Sequence, residues 1–269
     1  KNQNLNPEKE IYSFRRKTPM ELSVIIPAYN EEDRIVRTLK NIFSYLNRQK
    51  YQSEVIVVSD GSTDNTKDVA ERMFDSGETV SIKVFEYHPN RGKGYAVRFG
   101  IMKGCGSLLM FMDADYSVPM ADVEKGRKLI ADGYDIAIGS RSVVNSRVIR
   151  HQNFLREISA KLYTFIQNRY LGIRYKDTQC GFKLFKNKVA TALFEKQKLD
   201  SVIFDPEILW LAKQQQFKVG EFPVWWSHVE NSRIQYDSLK KSLFVFQELF
   251  RIKRLHKTNP YPQSIGPDI

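Results

Sequence analysis

Cysteine is scarce. Only Cys105 and Cys180 occur in 269 residues, far apart and in no metal-ligand spacing. A disulfide framework is not indicated, and such usage fits a reducing compartment. Long apolar runs are also absent: nothing approaches the roughly 18–20 residues that a membrane-spanning helix needs. The longest, Leu108-Leu109-Met110-Phe111-Met112, reads as a buried strand. Residues 1–19 are polar and charged and lack the apolar centre of a signal peptide; the opening without methionine leaves room for an upstream anchor. His88, His151, His228 and His256 form no ligand pattern, and there is no internal repeat.

What the chain does have is an ordinary apolar fraction, 42%, with 12% aromatics. That is enough for a full core and excludes a disordered chain. Its net charge of +11 asks for a polyanionic partner: nucleic acid, an anionic bilayer or a phosphorylated substrate. Nucleic acid is the weakest of the three. No recognition motif is present, and the aromatics are not interleaved with the cations as stacking platforms would be.

Strands and helices alternate along the first half. β-branched or apolar runs at 22–26, 54–58, 82–87, 108–112 and 136–138 predict strands. Helical spacing predicts helices over 31–45, from about 64 to 73, over 92–103 and over 120–131, with Thr63 or Asp64 as a cap for the second. This order implies right-handed crossovers and a mostly parallel sheet, with ligands beyond the carboxyl ends of its strands. After residue 140 the pattern changes. Residues 141–150 read as a basic loop, 153–170 and 206–215 as helices, 181–185 as a short apolar segment, 219–225 as a strand and 237–257 as a basic amphipathic helix. The expected organisation is an N-terminal extension over 1–20, one domain over 21–257 with halves 21–141 and 142–257, and a loose tail over 258–269.

The chemistry centres on Asp113-Ala114-Asp115, two carboxylates just past a buried strand. Both can reach one Mg²⁺ or Mn²⁺, which favours oxygen ligands and shares its shell with phosphates. Such a cation would neutralise charge on a diphosphate leaving group; a solvated loop is the bland alternative. Asp60, at the tip of the second strand, is placed to accept a hydrogen bond from a nucleobase imide, or else to make an Asx-type turn with Ser62. Tyr29 and Glu31 could frame base and ribose, unless the acidic Glu31-Glu32-Asp33 run only complements a helix dipole. Asn90-Arg91-Gly92-Lys93-Gly94 is a glycine-and-cation loop suited to phosphate, without the spacing of a Walker sequence.

Four strings carry a resemblance: Val24-Ile25-Ile26-Pro27-Ala28-Tyr29-Asn30-Glu31-Glu32, Val58-Ser59-Asp60-Gly61-Ser62-Thr63-Asp64, the 90–94 loop and Asp113-Ala114-Asp115. In this order they resemble family 2 glycosyltransferases of the GT-A fold. Asp177-Thr178-Gln179-Cys180-Gly181-Phe182-Lys183-Leu184-Phe185 and Phe204-Asp205-Pro206-Glu207 are similar to the dolichyl-phosphate β-glucosyltransferase subgroup. The family usually has two acidic residues where this chain has Ser59-Asp60. The resemblance implies an α/β GT-A fold: a Rossmann-like nucleotide-sugar half, an acceptor half and a C-terminal amphipathic helix. It implies that Pro27, Tyr29, Glu31, Val58 and Asp60 hold the nucleoside and that Lys93 lies near the donor. Asp113, Ala114 and Asp115 then handle ribose, metal and diphosphate, and Arg141 faces phosphates. Asp177, Gln179 and the catalytic candidate Asp205 line the sugar and acceptor side, with inversion at the anomeric carbon.

The acceptor follows from proton chemistry. A hydroxyl acceptor needs a general base, for which Asp205 or Asp177 are candidates, whereas a phosphate monoester is already ionised. Two anions side by side need cations, and the second half is rich in them, from Arg147 to Lys176, unless these only form a solvated basic face. Arg233, after Ser232, is a candidate for the acceptor phosphate by its likeness to the lipid-phosphate subgroup. The 237–257 helix suits an anionic bilayer or, alternatively, docks on the sheet. Trp225 and Trp226 could stack on a sugar or lie at a membrane interface, with core packing the favoured reading. The expected partners are a UDP-sugar (with a GDP-sugar second), a polyprenyl-phosphate acceptor and an anionic membrane surface, with no nucleic acid. The expected location is peripheral, on the cytoplasmic face of the plasma membrane or endoplasmic reticulum.

Overall fold

The computed structural model describes residues 19–73, 80–150, 154–227 and 239–257. In its first half, strands and helices alternate: β1 (Met20–Ala28), α1 (Glu32–Leu46), β2 (Gln52–Asp60), α2 (Thr66–Glu71), β3 (Ser81–Tyr87), α3 (Lys93–Ile101), β4 (Leu108–Met112), α4 (Val123–Ala131) and β5 (Ile136–Ser140). The second half contributes β6 (Arg147–Arg150), α5 (Phe154–Leu171), β7 (Phe182–Lys186), α6 (Asn187–Phe194), α7 (Phe204–Gln214), β8 (Val219–Pro223), β9 (Trp225–Ser227) and α8 (Leu239–Leu255).

Seven strands form one sheet in the order β3-β2-β1-β4-β7-β5-β8. All neighbours are parallel except β7, which runs antiparallel between β4 and β5. The short apolar segment of the sequence is therefore a central strand. Leu22, Val24, Ile25 and Ile26 on β1 and Val55 to Val58 on β2 are fully buried, as expected of parallel strands covered on both faces. One apolar layer joins Ile25, Val58 and Phe111 to α3, α6, α7 and α8; the other joins Val24, Val57 and Met110 to α1 and α4.

Three local expectations change. Residues 141–150 are not all loop: β6 pairs in parallel with β9 as a small ribbon. The predicted 219–225 strand divides at buried Val224, which donates its N–H to the Ser140 carbonyl and accepts one from Arg147, linking sheet and ribbon. Neither Thr63 nor Asp64 is the cap residue of α2; Asn65 holds that place, and Asp64 accepts the N–H groups of Thr66 and Glu32. Helix α6 was missed because it is only 8 residues long and follows β7 directly.

Helix α8 docks on the core by one face and leaves apolar side chains exposed on another. Val245, Leu249 and Ile252 are buried against the core, while Leu243, Phe244 and Phe250 face outward. No helix among the described residues is long and apolar enough to cross a membrane.

Candidate active site

The loops after β1 and β2 are stitched together at the carboxyl edge of the sheet. Asn30 receives the Thr63 N–H at 2.8 Å and gives its own to Ser62 Oγ at 3.1 Å. The Glu31 N–H reaches Thr66 Oγ1 at 2.7 Å. The Glu31 carboxylate is held by Arg34 through two bonds of 2.7 and 2.8 Å, so it shapes the loop. Tyr29 stands 41% exposed beside it, an aromatic face open to a base. Pro27 and Val58 are register partners inside the sheet. Val58 is fully buried under α3, so its side chain belongs to the core and its backbone is what it offers to the rim.

Asp60 is a hub. Its carboxylate accepts from Tyr87 Oη at 2.9 Å, Asn90 Nδ2 at 3.0 Å, the Arg91 N–H at 2.8 Å and the Gly92 N–H at 2.9 Å. Both oxygens are thus occupied by the chain's own donors, and a nucleobase imide would have to displace one of them. What Asp60 does in this structure is fold the 90–92 loop over the tip of β2. Gly92 takes φ +102°, and a Cβ there would lie 2.5 Å from the Asp200 carbonyl oxygen, so glycine is required. The loop delivers Lys93, the first residue of α3, onto Asp113, with Nζ 2.6 Å from Oδ1. Asp60 and Asp113 are therefore linked along one rim through the 90–92 loop and Lys93.

Asp113 and Asp115 leave β4 together. Burial pushes the Asp115 carboxyl up, and the charge of Asp113 adds to that. Its bond from the Ser117 N–H, 2.9 Å, only partly offsets them. Two crowded carboxylates, one of them destabilised as an anion, suit a divalent cation, which would reverse both penalties. Among the described residues, no group of three His, Cys, Asp or Glu is arranged to hold a metal ion by itself. Two carboxylates with phosphate oxygens completing the shell is the pattern expected of Mg²⁺ or Mn²⁺. Ala114 is buried and its carbonyl accepts from Thr38 Oγ1 at 2.6 Å, which leaves it a spacer.

Behind this pair lies β7. A Cβ on Gly181 would fall 2.1 Å from Asp113 Oδ2, so the Asp113 carboxylate occupies the space of the missing side chain. Lys183, only 1% exposed, donates to the Cys180 carbonyl at 2.6 Å and to Asp205 Oδ1 at 2.5 Å. Burial pushes the Asp205 carboxyl up against the pull of Lys183 and Lys93. The sequence assigned Gly181 and Lys183 no role, although a lysine in an apolar strand was itself a signal.

Arg141 and Asp177 form a bidentate pair: Nε to Oδ2 at 2.6 Å and Nη2 to Oδ1 at 2.9 Å, with the Arg141 N–H also on Oδ2. Burial alone would raise the Asp177 carboxyl; the Arg141 guanidinium holds it below the usual carboxylate range. Gln179 gives its N–H to Asp177 Oδ1 at 3.2 Å. Burial pushes the Cys180 thiol up to about 12, leaving it neutral. Arg233 lies outside the described residues. Trp225, 45% exposed, is not the core residue expected.

A nucleotide-sugar transferase of the GT-A class is the kind of protein this sheet, rim and paired carboxylates define. The glycosyl transferase family 2 profile matches residues 23–194. The dolichyl-phosphate beta-glucosyltransferase of Drosophila melanogaster is 36% identical over 226 residues, 80% of this chain and 69% of the relative. That of Dictyostelium discoideum is 32% identical over 263 residues, 93% of this chain and 76% of the relative. Among solved structures, glucosyl-3-phosphoglycerate synthase from Mycobacterium tuberculosis, in complex with Mn²⁺, UDP-glucose and phosphoglyceric acid, superposes with a TM-score of 0.61. It is 16% identical, covering 92% of this chain and 88% of its own. The chain belongs to glycosyl transferase family 2 and is a glycosyltransferase.

Proposed function

We propose that this enzyme moves glucose from UDP-glucose to a polyprenyl phosphate of the dolichyl type at a membrane surface, assisted by Mg²⁺ or Mn²⁺. One observation carries the choice of acceptor. Asp177 and Asp205, the two carboxylates offered as general bases, are both almost fully buried and each is locked onto a cation, Arg141 or Lys183. Neither is accessible to a hydroxyl proton. An acceptor that arrives already ionised needs no base. The names of the relatives, dolichyl-phosphate beta-glucosyltransferases, point to the same acceptor and sugar.

Tyr29 offers its ring to the base, and Asp60 keeps the 90–92 loop in the shape that positions Lys93. Asp113 and Asp115 would hold the metal, which when bound offsets charge on the departing diphosphate. Lys93 and Arg141 add fixed positive charge on either side of the rim. The membrane reading rests on where apolar side chains are exposed. Among the described residues the first half exposes Tyr29 and Met102, whereas α5 exposes Leu162 and Phe165 and α8 exposes Leu243, Phe244 and Phe250. These two helices pack side by side through Tyr163–Phe246 and Tyr170–Phe250, and Lys161, Arg169, Arg251 and Arg254 are exposed on them.

The test is a pH profile of transfer from UDP-glucose to a short polyprenyl phosphate in detergent. The kcat/KM should rise with the second ionisation of the acceptor, near pH ~6 for a phosphate monoester. That limb should persist in Asp205→Asn. Its disappearance in the variant, or preferential glucosylation of a hydroxyl acceptor, would make Asp205 a base and defeat the reading.

A further inference from the structure

The geometry points to a second anion site, outside the reaction centre, that takes the phosphate of a bilayer phospholipid. It rests on the membrane reading above. A cavity of about 440 Å³ lies between the start of α4 and the β6–β9 ribbon, lined by Lys125, Asn145, Ser146, Arg147, Pro223 and Trp225. Its size falls within the range of ligand pockets. Among the described residues, none of these six is bonded to Asp113, Asp115, Asp177 or Asp205, whose partners lie elsewhere.

The cavity is built rather than incidental. Buried Asp122 fixes two of its walls, accepting the Trp225 N–H at 2.7 Å on Oδ2 and the Lys125 ammonium at 2.6 Å on Oδ1. Lys125 also donates to the Pro223 carbonyl at 3.1 Å. Arg147 is anchored through its backbone N–H on Val224, and its guanidinium lies 4.9 Å from the centre of the Trp225 ring. Lys125 lies over the same ring at 5.8 Å. With Asp122 consumed beneath, Arg147 leaves the cavity a net positive charge. A guanidinium beside an aromatic ring can present two N–H groups to an oxyanion at once, in a fork that a lysine cannot copy.

The surroundings select a lipid over a free anion. Trp225 is 45% exposed, and Ile149 of the same ribbon and Val144 just before it are 67% and 78% exposed. Apolar side chains beside a phosphate-sized cationic pocket match a headgroup joined to acyl chains. Such a site would hold the ribbon against the bilayer, and the ribbon is tied to the reaction rim through Ser227 N–H on the Ser117 carbonyl.

The experiment is co-sedimentation of the whole chain with phosphatidylcholine vesicles, with and without phosphatidylserine. Affinity for UDP serves as the control for folding. Loss of one surface cation weakens binding to an anionic bilayer by roughly fivefold, and exposed Lys128→Gln sets that baseline. Arg147→Lys keeps the charge and Trp225→Ala removes none, yet each should weaken binding to phosphatidylserine vesicles by about tenfold with UDP affinity unchanged. The proposal is overturned if Arg147→Lys binds as the wild type does, since the effect would then be diffuse charge. It is equally overturned if millimolar inorganic phosphate displaces the protein, which would make the ligand a free anion. Failure of the wild type to glucosylate polyprenyl phosphate in detergent would count against the acceptor reading instead.

Discussion

Asp113 keeps its position through an empty volume as much as through a bond. Lys93 pulls its carboxylate from one side, and the missing side chain of Gly181 gives it room on the other. Gly181→Ala would push the carboxylate aside, and a misplacement of about 1 Å costs on the order of 100-fold in rate. The expected outcome is a kcat/KM about 100-fold lower with nearly unchanged thermal stability, because the displaced group is a side-chain tip. Equal loss of stability and activity would mean that the backbone had moved instead. At Asp115 the prediction concerns charge. Burial and Asp113 disfavour its anion, so a divalent cation should be taken up with UDP. Calorimetric UDP affinity should fall on adding EDTA, and Asp115→Asn should lose that metal dependence along with about 100-fold or more of kcat/KM. Identical UDP binding with and without EDTA would remove the metal from this site.

Among the elements, α7 and α8 hold the back of the site. Glu207, fully buried in the first turn of α7, accepts the N–H groups of Lys198 and Leu199 and meets His256 Nε2 at 2.6 Å. Glu248 of α8 accepts from Ser201 Oγ at 2.8 Å. The 198–201 segment fixed in this way presents the Asp200 carbonyl to the Tyr95 N–H and to Gly92. His256→Ala would take one partner from a buried carboxylate, a loss of about 1–3 kcal/mol. For a chain of this size that lowers the melting temperature by roughly 2–5 °C. A melting curve unchanged by the substitution would show that α8 is held by its apolar face alone. Helix α8 also decides how membrane association can be tested. Removing it would uncover Leu249 and Ile252 along with their core partners, so truncation would unfold the protein rather than free it from a surface.

For the molecule as a whole, on the proposed membrane reading, the charge of +11 and the exposed apolar side chains of α5 and α8 would act together. Electrostatic attraction to an anionic bilayer is screened over a Debye length of about 8 Å at physiological salt, whereas insertion of apolar side chains is not. Association with anionic vesicles should therefore weaken as salt rises but level off above zero. In Leu243→Ser with Phe244→Ser, both exposed on α8, that residual binding should disappear without a change in melting temperature. Binding that salt abolishes in the wild type would assign association to charge alone.

The alternation of buried strands and amphipathic helices, legible in runs such as Leu22–Ile26 and in the spacing of Ile35, Leu39 and Ile42, sufficed to determine the parallel sheet and the edge where its ligand loops converge. Periodicity is a local property, and it reports which face of each element is apolar. It does not report partners far along the chain. Only the tertiary structure placed β7 antiparallel between β4 and β5, set Gly181 against Asp113, buried Lys183 on Asp205 and closed Arg141 onto Asp177. The sequence could identify Asp60 as a rim carboxylate but not that four donors from 87–92 already surround it. Those facts depend on which groups meet when distant segments pack, and on which charges must neutralise one another once water is excluded.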